Sequence, residues 1–143
     1  MLTPSSIVVP WSDHMAEEHK LRILVVDDAS LVRRYYREAL ERAGYQVDEA
    51  LNGLEALEKL LAAPTDLLIV DVNMPQMDGI SFLNILRQQE LPTASIPAVV
   101  ISTEAKAADY AAARLAGANL YLVKPVKQDL LVEYAGLLCG APA

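Results

Sequence analysis

The sequence predicts an α/β domain: one parallel five-stranded sheet, doubly wound, with five helices on its two faces. Three observations carry this expectation. Five short strand-like segments alternate with five longer segments of helical periodicity, and that alternation builds right-handed βαβ crossovers. Runs such as Ile23–Val26 and Leu67–Val70 are apolar throughout, as strands covered on both faces are. The chain has 143 residues and is 53% hydrophobic, enough for one domain with a substantial core.

Strand 1 is expected over Arg22–Val26. Helix 1 follows from Ser30 to Ala43, with Val32, Tyr36, Ala39, Leu40 and Ala43 at helical spacing and Gly44 as its stop. Strand 2 is short, Gln46–Glu49. Helix 2 starts near Gly53, carries Leu54, Leu57, Leu60 and Leu61, and ends before Pro64. Strand 3 is Leu67–Val70, and the loop Asn73–Gly79 leads to helix 3 over Ser81–Gln89. Strand 4 is Ala98–Ile101, and the alanine-rich helix 4 spans Lys106–Ala116 before Gly117. Strand 5 is Leu120–Val123 and helix 5 is Gln128–Leu138. The domain proper is expected to begin at residue 20. Residues 1–19 read as a flexible extension, in which Ile7–Val9 is too short for a signal-peptide core and Met15 is an alternative start. A docking segment built on Ile7–Val9 and Trp11 is the rival reading.

Lys and Arg total 12 against 19 Asp and Glu, a net charge of -7, which argues against direct nucleic-acid binding. No apolar run reaches the roughly 20 residues of a membrane span, so no membrane insertion is expected. The single cysteine, Cys139, cannot form an internal disulfide, and a reducing cytoplasm is the simplest setting.

Charged and polar residues cluster where the strands end. Asp27 and Asp28 follow strand 1, Asp71 follows strand 3, Ser102-Thr103 follow strand 4, and Lys124-Pro125 follow strand 5. In an open parallel sheet the carboxyl ends of the strands form the ligand crevice. Three acids and a lysine gathered there are costly without a cation and an anionic substrate to balance them. This suggests chemistry on phosphate with a divalent metal. Each residue also has a plain structural role open to it. Either aspartate of Asp27-Asp28 can cap helix 1, though a hard cation such as Mg²⁺ better explains two adjacent carboxylates. Asp71 can form a local turn with Asn73, or serve as a nucleophile that takes a phosphoryl group. Lys124 leaves a buried strand as a compact point charge, and Pro125 after it forces a turn and admits a cis peptide. Ser102 or Thr103 can cap helix 4, or the one facing the crevice can hydrogen-bond a phosphoryl oxygen; strand register decides which.

Taken together, Ile23–Asp28, Asp71–Gly79 and Leu122–Pro125, with Ala50–Leu57 entering helix 2, resemble the receiver domain of bacterial two-component response regulators. The resemblance covers about Lys20 to Leu138. It implies the flavodoxin-like, CheY-like strand order 2-1-3-4-5, with Asp71 as phospho-acceptor. It implies Mg²⁺ held by Asp27, Asp28, Asp71 and the main-chain carbonyl of Asn73, with Lys124 paired to the phosphoryl group. The switch hydroxyl maps to Ser102 and the switch aromatic to Tyr121. Helix 4, strand 5 and helix 5 then form the output face, on which Tyr110 is expected. The implied partners are a sensor histidine kinase or histidine phosphotransfer protein and a downstream target protein, with the chain itself a monomer or weak dimer. Leu31 and Tyr35 fall off the core stripe of helix 1 and are expected to contact the phosphodonor.

With little chain after helix 5, a single-domain regulator acting by protein contact is expected; a receiver fragment of a larger regulator or hybrid histidine kinase is the alternative. The expected role is a switch with only slow self-catalysed chemistry rather than an enzyme. A haloacid-dehalogenase-type phosphatase would need a second aspartate where this chain has Asn73, which cannot cycle a proton. A receiver used only as a scaffold does not explain the intact acid set, and no glycine-rich loop follows strand 1 to suit a dinucleotide.

Overall fold

Strands and helices alternate along residues 20–142, the part of the chain that this computed structural model describes. In order they are β1 (Arg22–Val26), α1 (Ser30–Arg42), β2 (Gln46–Ala50), α2 (Gly53–Ala62), β3 (Leu67–Asp71), α3 (Gly79–Leu86), β4 (Ala98–Ser102), α4 (Ala107–Ala116), β5 (Leu120–Val123) and α5 (Gln128–Cys139). A short 3₁₀ turn, Thr93–Ser95, precedes β4 and has no clear signal in the sequence. The sheet order is β2-β1-β3-β4-β5 and every pairing is parallel. The expectations for residues 1–19 lie outside the described residues.

Successive strand side chains point to opposite faces, so one continuous apolar strand feeds two cores. Leu24, Val26, Leu68, Val70 and Val100 pack under Ala56 and Leu60 of α2, Phe82, Leu83 and Leu86 of α3, and Ala113 and Ala116 of α4. Ile23, Val25, Leu67, Ile69, Val99 and Ile101 pack under Tyr36 and Leu40 of α1 and Leu131 and Ala135 of α5. Each fully buried Leu, Ile or Phe contributes about 1.5–3 kcal/mol of transfer free energy. This two-faced burial therefore holds the central strands rigidly and fixes where their carboxyl ends sit.

Several boundaries differ from expectation by a residue or more, and four of them have a clear local reason. β3 and β4 each run one residue further, because Asp71 pairs with Ile101 and Ser102 with Val123. Helix α3 starts at Gly79 rather than Ser81 because the Asp78 carboxylate accepts the Ser81 N–H at 2.8 Å, which makes Asp78 the N-cap. It stops at Leu86, where the Arg87 guanidinium turns to the carbonyls of Ala94, Ile96 and Gly117. Strand β5 is not the buried strand its apolar run suggests. It pairs only with β4 at the sheet edge, its residues are half-buried, and Val123 is 39% exposed.

Candidate functional site

The carboxyl ends of β1, β3, β4 and β5 converge on one pocket. Among the described residues the buried polar side chains are Asp27, Asp71 and Ser102. Asp27 directly follows β1, and its N–H donates to the Ala50 carbonyl of the neighbouring strand. Asp71 and Ser102 are the last residues of β3 and β4. Lys124 directly follows β5; its N–H donates to the Ser102 carbonyl at 2.8 Å, and its peptide with Pro125 is cis.

The Lys124 ammonium lies 3.1 Å from Asp71 Oδ1 and 3.3 Å from Asp27 Oδ2. Asp28 is exposed, yet oxygens of Asp27, Asp28 and Asp71 all lie within 4.8 Å of one another. Three carboxylates thus face one ammonium, leaving an excess of two negative charges. Burial and the Asp27 carboxylate raise the Asp71 carboxyl above its ordinary range, and Lys124 offsets only part of this. Burial works against the Lys124 ammonium, but its hydrogen bond to Asp71 and the fields of Asp27 and Asp71 hold its pKa above the ordinary value. A small hard cation taking carboxylate oxygens fits this donor set and relieves the repulsion. Asn73 is exposed in the loop two residues after Asp71.

Neither aspartate after β1 caps α1. The N-cap is Ala29, and Asp27 Oδ1 accepts the Ala29 N–H at 2.9 Å as a local turn. Neither Ser102 nor Thr103 caps α4, which begins after Lys106; Asp109 Oδ2 accepts the Lys106 N–H at 3.2 Å. The two hydroxyls differ in burial. Ser102 is 1% exposed within the strand and its Oγ accepts the Glu104 N–H at 3.1 Å, while Thr103 is exposed. As an acceptor of that bond, the Ser102 hydroxyl keeps its own O–H to donate.

Tyr121 is half-buried, and its hydroxyl donates to the Glu104 carbonyl at 2.9 Å. Its ring meets Tyr110 edge-on with centroids 4.7 Å apart, and Tyr110 is 41% exposed. A cavity of about 60 Å³ is bounded by Ser102, Tyr121, Val72 and Ile80. Beside the acidic pocket, Leu31 and Tyr35 line an apolar cleft of about 460 Å³ with Val32, Tyr36, Thr103, Lys124, Pro125 and Val126. Burial, with Asp27 and Asp71 adding to it and Lys124 opposing, pushes the Tyr36 hydroxyl up to about 12. Its apolar position in α1 showed no such link to the site.

Arg33 is a second residue that the sequence did not single out. Its Nη1 donates to the Asp27 carbonyl at 2.6 Å and its Nε to Glu49 Oε1 at 2.9 Å. Arg37 Nη1 donates to Glu49 Oε2 at 2.7 Å. Burial works against the Glu49 carboxylate, but its hydrogen bonds from Arg37 and Arg33 hold its pKa below the ordinary range. Nothing in linear sequence links Arg33 to Glu49, which sits across a β-ladder from Val25.

Comparison with known proteins agrees with this geometry. The family model described as the response regulator receiver domain matches residues 23–135. The chain is 41% identical over 122 residues to the chemotaxis protein CheY1 of Helicobacter pylori, covering 84% of this chain and 98% of that protein. It is 40% identical over 119 residues to the sensor protein EvgS of Escherichia coli, covering 83% of this chain but 10% of that much longer protein. Among solved structures, the chemotaxis response regulator CheY4 of Vibrio cholerae superposes with a TM-score of 0.78 at 32% identity, covering 84% of this chain and 99% of that one. With Asp27, Asp28, Asp71 and Lys124 in one pocket and Ser102 ending the neighbouring strand β4 of this fold, the chain belongs to the response regulator receiver domain family.

Proposed function

We propose that the chain is a phosphorylation-dependent switch in which Asp71 accepts a phosphoryl group from a histidine kinase or histidine phosphotransfer protein. The observation that carries this reading is Lys124, whose ammonium bridges Asp27 and Asp71 at the mouth of a three-carboxylate pocket. Lys124 engages one oxygen of Asp71. An Asp71 carboxylate oxygen attacks the phosphorus, the P–N bond to the donor imidazole breaks, and its electron pair returns to the ring nitrogen. Asp27, Asp28, Asp71 and the Asn73 main-chain carbonyl would hold Mg²⁺, which supplies charge neutralisation at the phosphoryl oxygens. Lys124 then pairs with one phosphoryl oxygen, and Ser102 donates its O–H to another.

Drawing in Ser102 disturbs its bond with Glu104, whose carbonyl holds Tyr121. The two tyrosines thus connect the pocket to a face made by α4, β5 and α5, where a downstream target protein binds. This is a shift between two populated states, biased by the phosphoryl group. The apolar cleft at Leu31 and Tyr35 lies beside Lys124 and suits the helix that presents the donor histidine. In this role the chain turns over no substrate beyond its own phosphoryl group, and works in the cytoplasm.

Incubation with acetyl phosphate and Mg²⁺, followed by intact mass, tests the reading. One hydroxylamine-labile phosphoryl group is expected, absent in Asp71→Asn and reduced by chelation of the metal. No adduct from acetyl phosphate or from any histidine donor overturns it. The extensive match to EvgS supports a second reading of the output, as the receiver of a hybrid sensor kinase; the chemistry at Asp71 is the same.

A further inference from the structure

We propose that Arg33 is a positioning residue that sets the Asp27–Asp28 peptide and thereby the Asp28 carboxylate for Mg²⁺. The inference rests on the metal-assisted reading of the pocket. Strand β1 ends at Val26, so the two acids stand beyond the last residue that the ladder holds. The Asp27 N–H still reaches the Ala50 carbonyl, and Asp27 Oδ1 takes the Ala29 N–H. The Asp27 carbonyl is bound by Arg33 Nη1 at 2.6 Å. That carbonyl, the Asp28 N–H and the Asp28 Cα belong to one planar peptide unit, so holding the carbonyl orients the N–H and places the Cα from which the Asp28 side chain leaves.

Arg33 is itself anchored. Its side chain is 11% exposed, and Glu49 of β2 accepts its Nε while taking Arg37 through the other oxygen. The guanidinium fork can hold the backbone carbonyl and the carboxylate together, which a lysine ammonium on one flexible stem cannot do with the same geometry. Asp28 needs such help more than its neighbours. It is exposed, whereas Asp27 and Asp71 are buried and share Lys124. Repulsion among the three carboxylates tends to swing the exposed one outward in the absence of metal. Since the Arg33 charge is matched by Glu49, its action on the pocket is mainly geometric.

The test measures the Mg²⁺ dissociation constant by calorimetry on the full chain, alongside Tm without metal. Loss of a group that orients a metal ligand typically costs about tenfold or more in affinity. Arg33→Ala and Arg33→Lys are expected to weaken Mg²⁺ binding about tenfold, while Arg37→Ala, which removes the other arm on Glu49, stays within about twofold of wild type. A purely structural role would lower Tm in both alanine variants and leave both Mg²⁺ constants near wild type. That pattern overturns the proposal, as does equal weakening by Arg33→Ala and Arg37→Ala. If Arg33→Ala does not fold, Arg33→Lys and Arg37→Ala carry the test: weakened Mg²⁺ binding in Arg33→Lys with near wild-type binding in Arg37→Ala supports it, and wild-type binding in Arg33→Lys, or equal weakening in both, overturns it. Absence of Mg²⁺ binding by the wild-type chain is a separate outcome; it removes the metal-assisted reading and this proposal with it.

Discussion

Replacing Lys124 by Met isolates the electrostatics of the pocket. The change removes an ammonium that sits 3.1 Å from Asp71 and 3.3 Å from Asp27 while keeping an unbranched stem. Those carboxylates are 7% and 3% exposed, so neither can recover its hydration in place. Breaking a buried pair by deleting one partner costs about 3–5 kcal/mol. Lys124 is 22% exposed, and solvent near its ammonium screens part of that. A loss of about 2–3 kcal/mol without metal is the expected result, or about 8–12 °C in Tm for a domain of this size. The sign with pH follows from Asp71, whose carboxyl is already raised in the folded state. A group with a raised folded pKa contributes stability that is present below its unfolded pKa and lost as pH rises through the folded one. Without Lys124 the folded pKa rises further, so the penalty should be larger at neutral pH than at a mildly acidic pH. Urea unfolding followed by circular dichroism at the two pH values, in chelator, measures this. A Lys124→Met protein as stable as wild type at neutral pH, or one whose deficit grows on acidification, refutes the reasoning.

Other perturbations separate the parts of the account. Asp71→Asn should stabilise the metal-free protein at neutral pH, because it removes a buried charge that burial and Asp27 oppose; a lower urea midpoint than wild type would contradict this. In Gly79→Ala the added Cβ would collide with the Asp71 main-chain oxygen and crowd Val70, so a loss of about 1–3 kcal/mol and slower phosphoryl uptake are expected from unfolding curves and mass-detected uptake. Phe82→Ala, wholly buried against the sheet, should cost about 3–5 kcal/mol, read from the same unfolding curves. Leu31→Ala and Tyr35→Ala should slow transfer from a histidine phosphodonor protein several-fold and leave uptake from acetyl phosphate unchanged; equal rates with both donors would remove the cleft from the account.

The architecture was legible because strong local patterns and global packing agree. Ile23–Val26 and Leu67–Val70 admit little besides buried parallel strands, and Gly117, in a left-handed conformation with φ 103°, stops α4 where its position after the alanine run suggests. The acid and lysine positions were legible for the same reason, since each closes an apolar run. What escaped was set by contacts across the chain. Asp71 and Ser102 look like loop residues, yet their backbones still pair in the sheet. An apolar run does not reveal whether it is central or at an edge, so β5 looked more buried than it is. The burial that separates Ser102 from Thr103 is set by strand register rather than residue type, and the bond from Tyr121 to Glu104 joins residues 17 positions apart. Arg33 was hidden because one acceptor lies just past β1 and the other on β2, and nothing in helical periodicity distinguishes it from the exposed Arg34 beside it.

The central claim is that a phosphoryl group forms on the side chain of Asp71. Borohydride reduction of the protein after exposure to a histidine phosphodonor and Mg²⁺, followed by peptide mass mapping, tests it directly, because an aspartyl phosphate is reduced to homoserine. The account predicts homoserine at position 71 alone, dependent on Mg²⁺ and on Lys124. Homoserine at Asp27, Asp28 or Asp78 with Asp71 intact, or phosphate retained on a hydroxyl or histidine, would contradict it.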